Sequence, residues 1–191
     1  MAWIERWTAP DYTIDYYRGV GYYYSGVNGL NDCIVIDPIT GFVMPNCVGY
    51  CWGRWYEAFG TRPYLSTGNA IGWYSYTVDG YRRSLTDPEQ GAIACFAGGL
   101  HGGHVAVVER INYDAFGNIS YLSTSNSAIG GPLFWPEAMT WNGATWEREE
   151  AGYTFQGFIL PPRTETKAYI YHAAQRRFPN GRARIINNRR F

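Results

Sequence analysis

The sequence predicts an α+β domain in which one well-marked helix precedes an antiparallel sheet. Apolar residues recur at helical spacing after Asn46, runs typical of strands follow from Gly91 onward, and a short turn joins two of those runs. The chain has 191 residues, of which 46% are hydrophobic and 17% charged. This size and composition favour a single folded domain with a real core and argue against disorder.

The helix is predicted to begin at Cys47, because Asn46 is a good N-cap residue and Gly60 is a typical helix stop. Its apolar stripe consists of Val48, Cys51, Trp52, Trp55 and Phe59. Cys47 therefore lies in the first helical turn. A second, short helix is predicted over residues 70–76.

Four strands are predicted, over residues 92–96, 104–111, 119–125 and 155–160. The six residues Tyr113 to Asn118 form a turn short enough to pair the second and third of these strands as a hairpin. If Asn112 and Ile119 flank that turn, His104 lies opposite Ser127 or, after a slip of one residue, opposite Asn126.

Glu109 is not expected to be a partner of His104. It lies five residues further along the same strand, so it points to the other face, about 16 Å away at roughly 3.3 Å per residue. The register therefore favours Asn126 as the side chain that faces the histidine.

Composition divides the chain into a Tyr- and Gly-rich arm over residues 1–30, a central domain over 31–162 and a basic tail over 163–191. The tail holds eight basic residues and one acid, so it carries about +7 and the rest of the chain about −7. We expect such a tail to dock on an anionic surface, against the alternative of a solvated, flexible tail.

The composition also excludes several classes of protein. No run approaches the roughly 18 apolar residues of a membrane span, and the first residues lack the pattern of a secretory signal. We expect no nucleic-acid partner. The four cysteines show neither a disulfide framework nor the paired spacing of a zinc site, so no metal or other cofactor is predicted.

Cys47 is the best candidate for a nucleophile, because a helix N-terminus and a nearby imidazolium both lower the pKa of a thiol. His104 would supply the imidazole, and an Asn on the adjacent strand can orient that ring. We predict that Cys47 is the most reactive thiol of the chain. Cys51 falls on the apolar stripe, Cys95 reads as strand core, and Cys33 has no informative context.

From the residues alone, a structural reading of the same three positions stays open. Cysteines are usually small buried apolar residues, histidines usually have a structural hydrogen-bond partner, and Asn126 fits a turn.

Six segments resemble the CHAP family, the cysteine, histidine-dependent amidohydrolases/peptidases. Gly91-Ala92-Ile93-Ala94 looks like the strand before the family's histidine, and Ser123-Thr124-Ser125-Asn126-Ser127 lies where members carry their orienting residue. Asn46-Cys47-Val48-Gly49-Tyr50-Cys51-Trp52-Gly53-Arg54 looks like the nucleophile helix of that family, and Gly68-Asn69-Ala70 like its Gly-Asn-Ala segment. Gly103-His104-Val105-Ala106 is similar to its Gly-His-Val-Ala block, the most specific match. Phe155-Gln156-Gly157-Phe158-Ile159 resembles its closing strand. The resemblance runs in order from about residue 46 to residue 160.

The resemblance implies a papain-like CHAP fold, with N-terminal helices packed on a C-terminal antiparallel sheet. It also implies that Cys47 is the nucleophile, His104 the base and Asn126 the orienting residue. The Cys47 N–H and, more weakly, Asn46 would donate to the oxyanion. The substrate would be an amide bond in the peptide part of bacterial peptidoglycan, cut by an endopeptidase or an N-acetylmuramoyl-L-alanine amidase.

A bacteriophage source is expected from the same resemblance, as an endolysin or a virion-associated lysin. The protein would then reside in the virion tail, or in the host cytoplasm before its release to the wall. In that setting the basic tail would contact wall polymer or another virion protein.

The sequence departs from the family pattern at two places. Many members carry Glu two residues before the orienting Asn, where this chain has Thr124, so Asn126 is expected to orient His104 alone. Some members bind calcium before the nucleophile, but Asp32 and Asp37 form no ligand ladder, and calcium is not predicted.

Two other functions are weighed against hydrolysis by a cysteine. One is a non-catalytic wall-binding or structural virion module that keeps the fold. The other is a zinc amidase using His101 and His104, which the Gly-rich loop between them and the lack of a third ligand disfavour.

Overall fold

A computed structural model describes residues 3–9, 34–36, 43–100, 102–127 and 133–163. The α-helix of this part of the chain, α1, spans Cys47–Phe59. The strands are β1 Ile34–Ile36, β2 Val43–Pro45, β3 Arg83–Ser84, β4 Ile93–Gly98, β5 His104–Tyr113, β6 Ile119–Asn126, β7 Trp135–Trp141, β8 Trp146–Arg148 and β9 Tyr153–Ile159.

The strands form two antiparallel sheets. Strands β1 and β2 pair with each other, and the other seven form one sheet in the order β3-β9-β4-β5-β6-β7-β8. The large sheet curls, and this brings Trp146 of the edge strand β8 close to Phe158 of β9, with ring centroids 6.0 Å apart. The predicted α+β class with an antiparallel sheet is confirmed.

The sequence predicts several N-terminal helices, but α1 is the one α-helix in the described residues. The predicted second helix is a single 3-10 turn, Ala70–Gly72, and a further 3-10 turn covers Thr77–Asp79. A segment of seven residues with a glycine at its third position loses more backbone entropy than a few helical hydrogen bonds recover, so no α-helix propagates there.

Helix α1 has the ends that the sequence predicts. The Asn46 side chain accepts a hydrogen bond from the Gly49 N–H at 3.1 Å, and Gly60 ends the helix with φ 67°. Trp55 on its buried face donates from the indole N–H to the Gly91 carbonyl at 2.7 Å. The cap fixes the residue at which α1 begins, and the Trp55 contact holds the helix against the segment before β4.

Strand β5 contributes to two apolar clusters on opposite sides of the sheet. Val105 and Val107 pack under α1, in the cluster that contains Trp55. Val108 points to the other side, toward Phe96 and the rest of a second cluster. Because the strand runs through both clusters, its side chains alternate between two fixed environments.

The β5–β6 hairpin forms as predicted, but its register differs by one residue. The prediction places Thr124 opposite Val107, whereas the structure pairs Val107 with Ser125 and Val108 with Thr124. Irregularities between Val108 and Arg110 and between Asn112 and Tyr113 shift the pairing. A β-bulge adds an unpaired residue to one strand, which pattern alone does not reveal.

Residues 3–9 run in an irregular, non-helical path against the domain, held by an ion pair between Glu5 and Arg110. The remainder of the proposed arm and the basic tail after residue 163 lie outside the described residues. Within the part of the chain that the structure describes, no helix has the length and apolar character to cross a membrane.

Candidate active site

A directed chain of hydrogen bonds holds His104. The Thr124 hydroxyl donates to the Glu137 carbonyl at 3.1 Å, so the Thr124 oxygen accepts from the Asn126 amide nitrogen, also at 3.1 Å. The Asn126 Oδ1 then faces His104 Nε2 at 3.0 Å. A carbonyl can only accept, and this fixes the direction of each bond: Nε2 carries the proton and Nδ1 keeps its lone pair.

The Asn126 contact was predicted, and the structure adds the group that orients Asn126. Asn126 reaches His104 diagonally across the hairpin, which the shifted register still permits because both side chains lie on one face. The sequence predicts that Asn126 orients His104 alone, and Asn126 supplies the hydrogen bond to the ring in the described residues. Thr124 and the Trp135 carbonyl, 3.4 Å away, hold its amide group.

Cys47 is the first residue of α1 and is half-buried. The backbone N–H of Val105, the residue after His104, acts on its thiol by hydrogen bonding. The thiol and the histidine therefore belong to one site, where α1 meets the start of β5. Among the described residues, no hydrogen bond joins the Cys47 sulfur to the His104 ring.

Burial sets the protonation of both groups. It raises the pKa of the Cys47 thiol to about 11, against the opposing effects of backbone N–H groups and the charge of Arg148. Burial, with a further contribution from the charge of Arg148, lowers the pKa of His104 to about 4. At neutral pH this site therefore holds a thiol and a neutral imidazole.

The expectation of a lowered thiol pKa was wrong for this state of the site. It counted the helix N-terminus but not the burial that tertiary packing imposes on the sulfur. Loss of solvation disfavours the thiolate by more than the helix end favours it.

Aromatic rings enclose the His104 imidazole. Trp135 of β7 stacks on it with centroids 5.8 Å apart and planes 22° apart, and Tyr153 of β9 lies 6.0 Å away. Beyond Tyr153, the guanidinium of Arg148 lies 4.5 Å from the ring centroid and forms a buried ion pair with Glu137 at 2.8 Å.

The sequence reasoning missed β7 and β8 and therefore missed these surroundings. A short run in which Trp135, Glu137 and Met139 alternate with smaller residues was the available signal for β7. Trp146-Glu147-Arg148 is too short to be recognised as a strand by alternation.

The proposed oxyanion donors lie at the start of α1. The Asn46 Oδ1 is occupied as the helix cap, and its Nδ2 has no hydrogen-bond partner among the described residues. The first N–H groups of a helix, including that of Cys47, also lack intrahelical partners. Both groups remain available as donors.

Two of the other cysteines have the buried environment that the sequence predicts. Cys51 and Cys95 are fully buried, and Cys33 lies outside the described residues, as does His101. Within the described ranges, no three His, Cys, Asp or Glu side chains cluster as a metal site would require.

Glu109 lies on the other face of β5, as predicted, and takes no part in the site. Its carboxylate is fully buried and accepts from Trp3 Nε1 at 2.7 Å, Arg54 Nη2 at 3.0 Å and Ser125 Oγ at 2.7 Å. The Arg6 backbone N–H donates to it as well, at 3.1 Å.

A cysteine at a helix start beside a strand that carries an oriented histidine is an arrangement known from cysteine-dependent hydrolases. Residues 38–126 match the family model of the CHAP domain. Such a domain indicates a hydrolase of the amidase or peptidase type that acts on peptidoglycan. Neither a comparison with curated proteins nor one with solved structures found a significant match.

Proposed function

We propose that this protein cleaves an amide bond in the peptide part of peptidoglycan, with Cys47 as nucleophile and His104 as base. The observation that carries the proposal is the hydrogen-bond chain from Glu137 to His104, which leaves the lone pair of His104 Nδ1 free. The next residue, Val105, hydrogen-bonds to the Cys47 thiol through its backbone N–H. Because thiol and imidazole start out neutral, the Cys47 proton moves to His104 Nδ1 as the sulfur attacks the amide carbon.

The later steps follow from the same geometry. The tetrahedral oxyanion accepts from the Cys47 N–H and Asn46 Nδ2. His104 then returns the proton to the leaving amine, which gives an acyl-thioester, and water attacks that thioester with His104 as base. The Asn126 Oδ1 keeps the Nε2 proton in place and stabilises the imidazolium that forms transiently.

The finer assignments are part of this proposal. The position of Cys47 at the start of α1, with His104 and Asn126 on an antiparallel sheet, supports a papain-like fold. Cleavage as an endopeptidase or as an N-acetylmuramoyl-L-alanine amidase fits the site equally. A role as a phage endolysin or virion-associated lysin rests on the sequence resemblance, and the basic tail that would contact a virion partner lies outside the described residues.

The experiment is digestion of purified peptidoglycan followed by mass spectrometry of the released fragments, which identifies the bond. Cys47→Ala and His104→Ala should each lower the rate by at least about a thousandfold while the protein stays folded. Cys95→Ala is the matched control, since it removes a thiol in the core of β4. It should retain the wild-type products.

Near-normal hydrolysis by either site variant would show that the assigned pair is wrong. Wall binding without any release of fragments by the wild-type protein would favour the non-catalytic alternative. Full activity in a strong chelator would exclude the zinc alternative.

A further inference from the structure

Arg148 is a buried cation close to the site, and one of its three guanidinium nitrogens has no hydrogen-bond partner among the described residues. The side chain is 2% exposed. Nε and Nη2 bind the Glu137 carboxylate at 3.2 and 2.8 Å, and Nη2 also contacts Glu150 at 3.1 Å. Glu137 is 5% exposed, whereas Glu150 is 58% exposed.

The third nitrogen of Arg148, Nη1, is buried and has no hydrogen-bond partner among the described residues. Buried polar groups of native proteins are nearly always paired, so an unpaired donor of a charged group needs an explanation. Because Nε and Nη2 face Glu137 along one side of the planar guanidinium, Nη1 lies away from that carboxylate. Nη1 and Nη2 together form the end-on edge, of which Glu150 occupies one half.

This edge lies close to the reacting groups. The guanidinium packs on Tyr153 at 4.5 Å and near Phe96 at 5.5 Å, and the Tyr153 ring contacts His104. The charge of Arg148 also lowers the pKa of both Cys47 and His104. One aromatic ring therefore separates Arg148 from the base.

We propose that Arg148 binds a free carboxylate of the substrate peptide end-on, through Nη1 and Nη2, after that carboxylate displaces Glu150. The inference rests on the proposed hydrolysis of wall peptide, and it assigns Arg148 as a determinant of substrate specificity at that site. Two parallel N–H donors match a carboxylate in geometry and charge. Exchange of one carboxylate for another leaves the number of charges paired with Arg148 unchanged, and Nη1 gains its missing acceptor.

The chemistry of wall peptides makes this discrimination testable. A peptide carboxylate can be converted to its amide, and a carboxamide has one acceptor oxygen and no charge. A carboxamide therefore cannot accept from both Nη1 and Nη2 as a bidentate partner. The protein should therefore prefer peptides that keep one particular carboxylate free.

The test uses synthetic stem peptides in which each free carboxylate is converted to its amide in turn. With the full-length wild-type protein, one amidation should lower kcat/KM about ten- to a hundredfold, and the others should have little effect. Arg148→Lys keeps a cation beside Glu137 but lacks the planar edge, so it should abolish the distinction between the sensitive pair of peptides.

Glu150→Gln is the sharper variant, because it removes the competing carboxylate and leaves Arg148 in place. It should raise kcat/KM for the free-carboxylate peptide about two- to fivefold, the size of effect expected for an exposed ion pair. Glu149→Gln is the matched control, since Glu149 bonds to Glu137 through its backbone N–H and its side chain has no hydrogen bond within the described residues. It should behave as wild type.

Equal kcat/KM for all peptides in the wild type, or no gain in Glu150→Gln over Glu149→Gln, would overturn the inference. Failure of the proposed function is separate: no peptide would be cleaved. In that event calorimetric binding of the same peptides to Cys47→Ala still decides the matter, because Arg148 should bind the free-carboxylate peptide about tenfold more tightly than its amide.

Discussion

The two faces of β5 carry polar networks built in opposite ways. On one face His104 is neutral and sits at the end of a single chain of hydrogen bonds through Asn126 and Thr124. On the other face the Glu109 carboxylate receives donors from residues 3–6, from α1 and from β6. Strand β6 contributes to both networks. Ser125 donates to Glu109, whereas its neighbours Thr124 and Asn126 form the chain that orients His104.

The difference lies in what each network leaves unsatisfied. Glu109 has donors on both carboxylate oxygens, so it acts as an anchor between the N-terminal segment, α1 and the hairpin. His104 keeps one ring nitrogen without a hydrogen bond among the described residues. A fully hydrogen-bonded group stabilises a fold, whereas an imidazole that is held in one orientation with a free nitrogen lone pair is able to accept a proton.

Removal of the anchor should have the largest effect on stability. Glu109→Ala leaves Arg54 buried without its main partner, and we expect a loss of about 3–5 kcal/mol in the free energy of unfolding. Urea denaturation measures this directly. Glu89→Ala breaks an exposed pair with Arg82 and should cost less than about 1 kcal/mol. Equal losses in the two variants would mean that Glu109 is no anchor.

Changing the orienting chain should affect activity and not the fold. Thr124→Val removes the acceptor of the Asn126 amide, so the amide loses its fixed orientation and His104 its single tautomer. We expect kcat to fall about ten- to a hundredfold with little change in KM. Thr124→Ser keeps the hydroxyl and should restore most of the rate. A Val variant with wild-type kcat and an unchanged pH profile would show that Thr124 is only structural.

The pH dependence of alkylation should distinguish a neutral pair from a pre-formed ion pair. Below a thiol pKa of about 11, the thiolate fraction rises tenfold per pH unit, so labelling of Cys47 by iodoacetamide should rise similarly from about pH 7 to about pH 10. Peptide mapping should find Cys47 labelled before the buried Cys51. A rate already constant from about pH 5 upward would instead indicate a thiolate–imidazolium pair.

The sequence was sufficient for the local structure around Cys47. An N-cap asparagine, an apolar stripe and a terminal glycine are signals contained within α1 itself, and the structure has all three. The Asn126 contact was also within reach, because a short turn links β5 to β6 and the strand period selects the shared face. Both inferences use residues that are close in sequence or joined by one turn.

Other features depended on the tertiary structure. The β-bulges, the strands β7 and β8, and the contacts of Trp135 and Arg148 with the site arise from pairing between distant segments, which no local period encodes. The same holds for the pKa of Cys47. Sequence placed the thiol at a helix start, but its protonation depends on how much solvent the packed sheet removes from the sulfur, and burial outweighs the helix end.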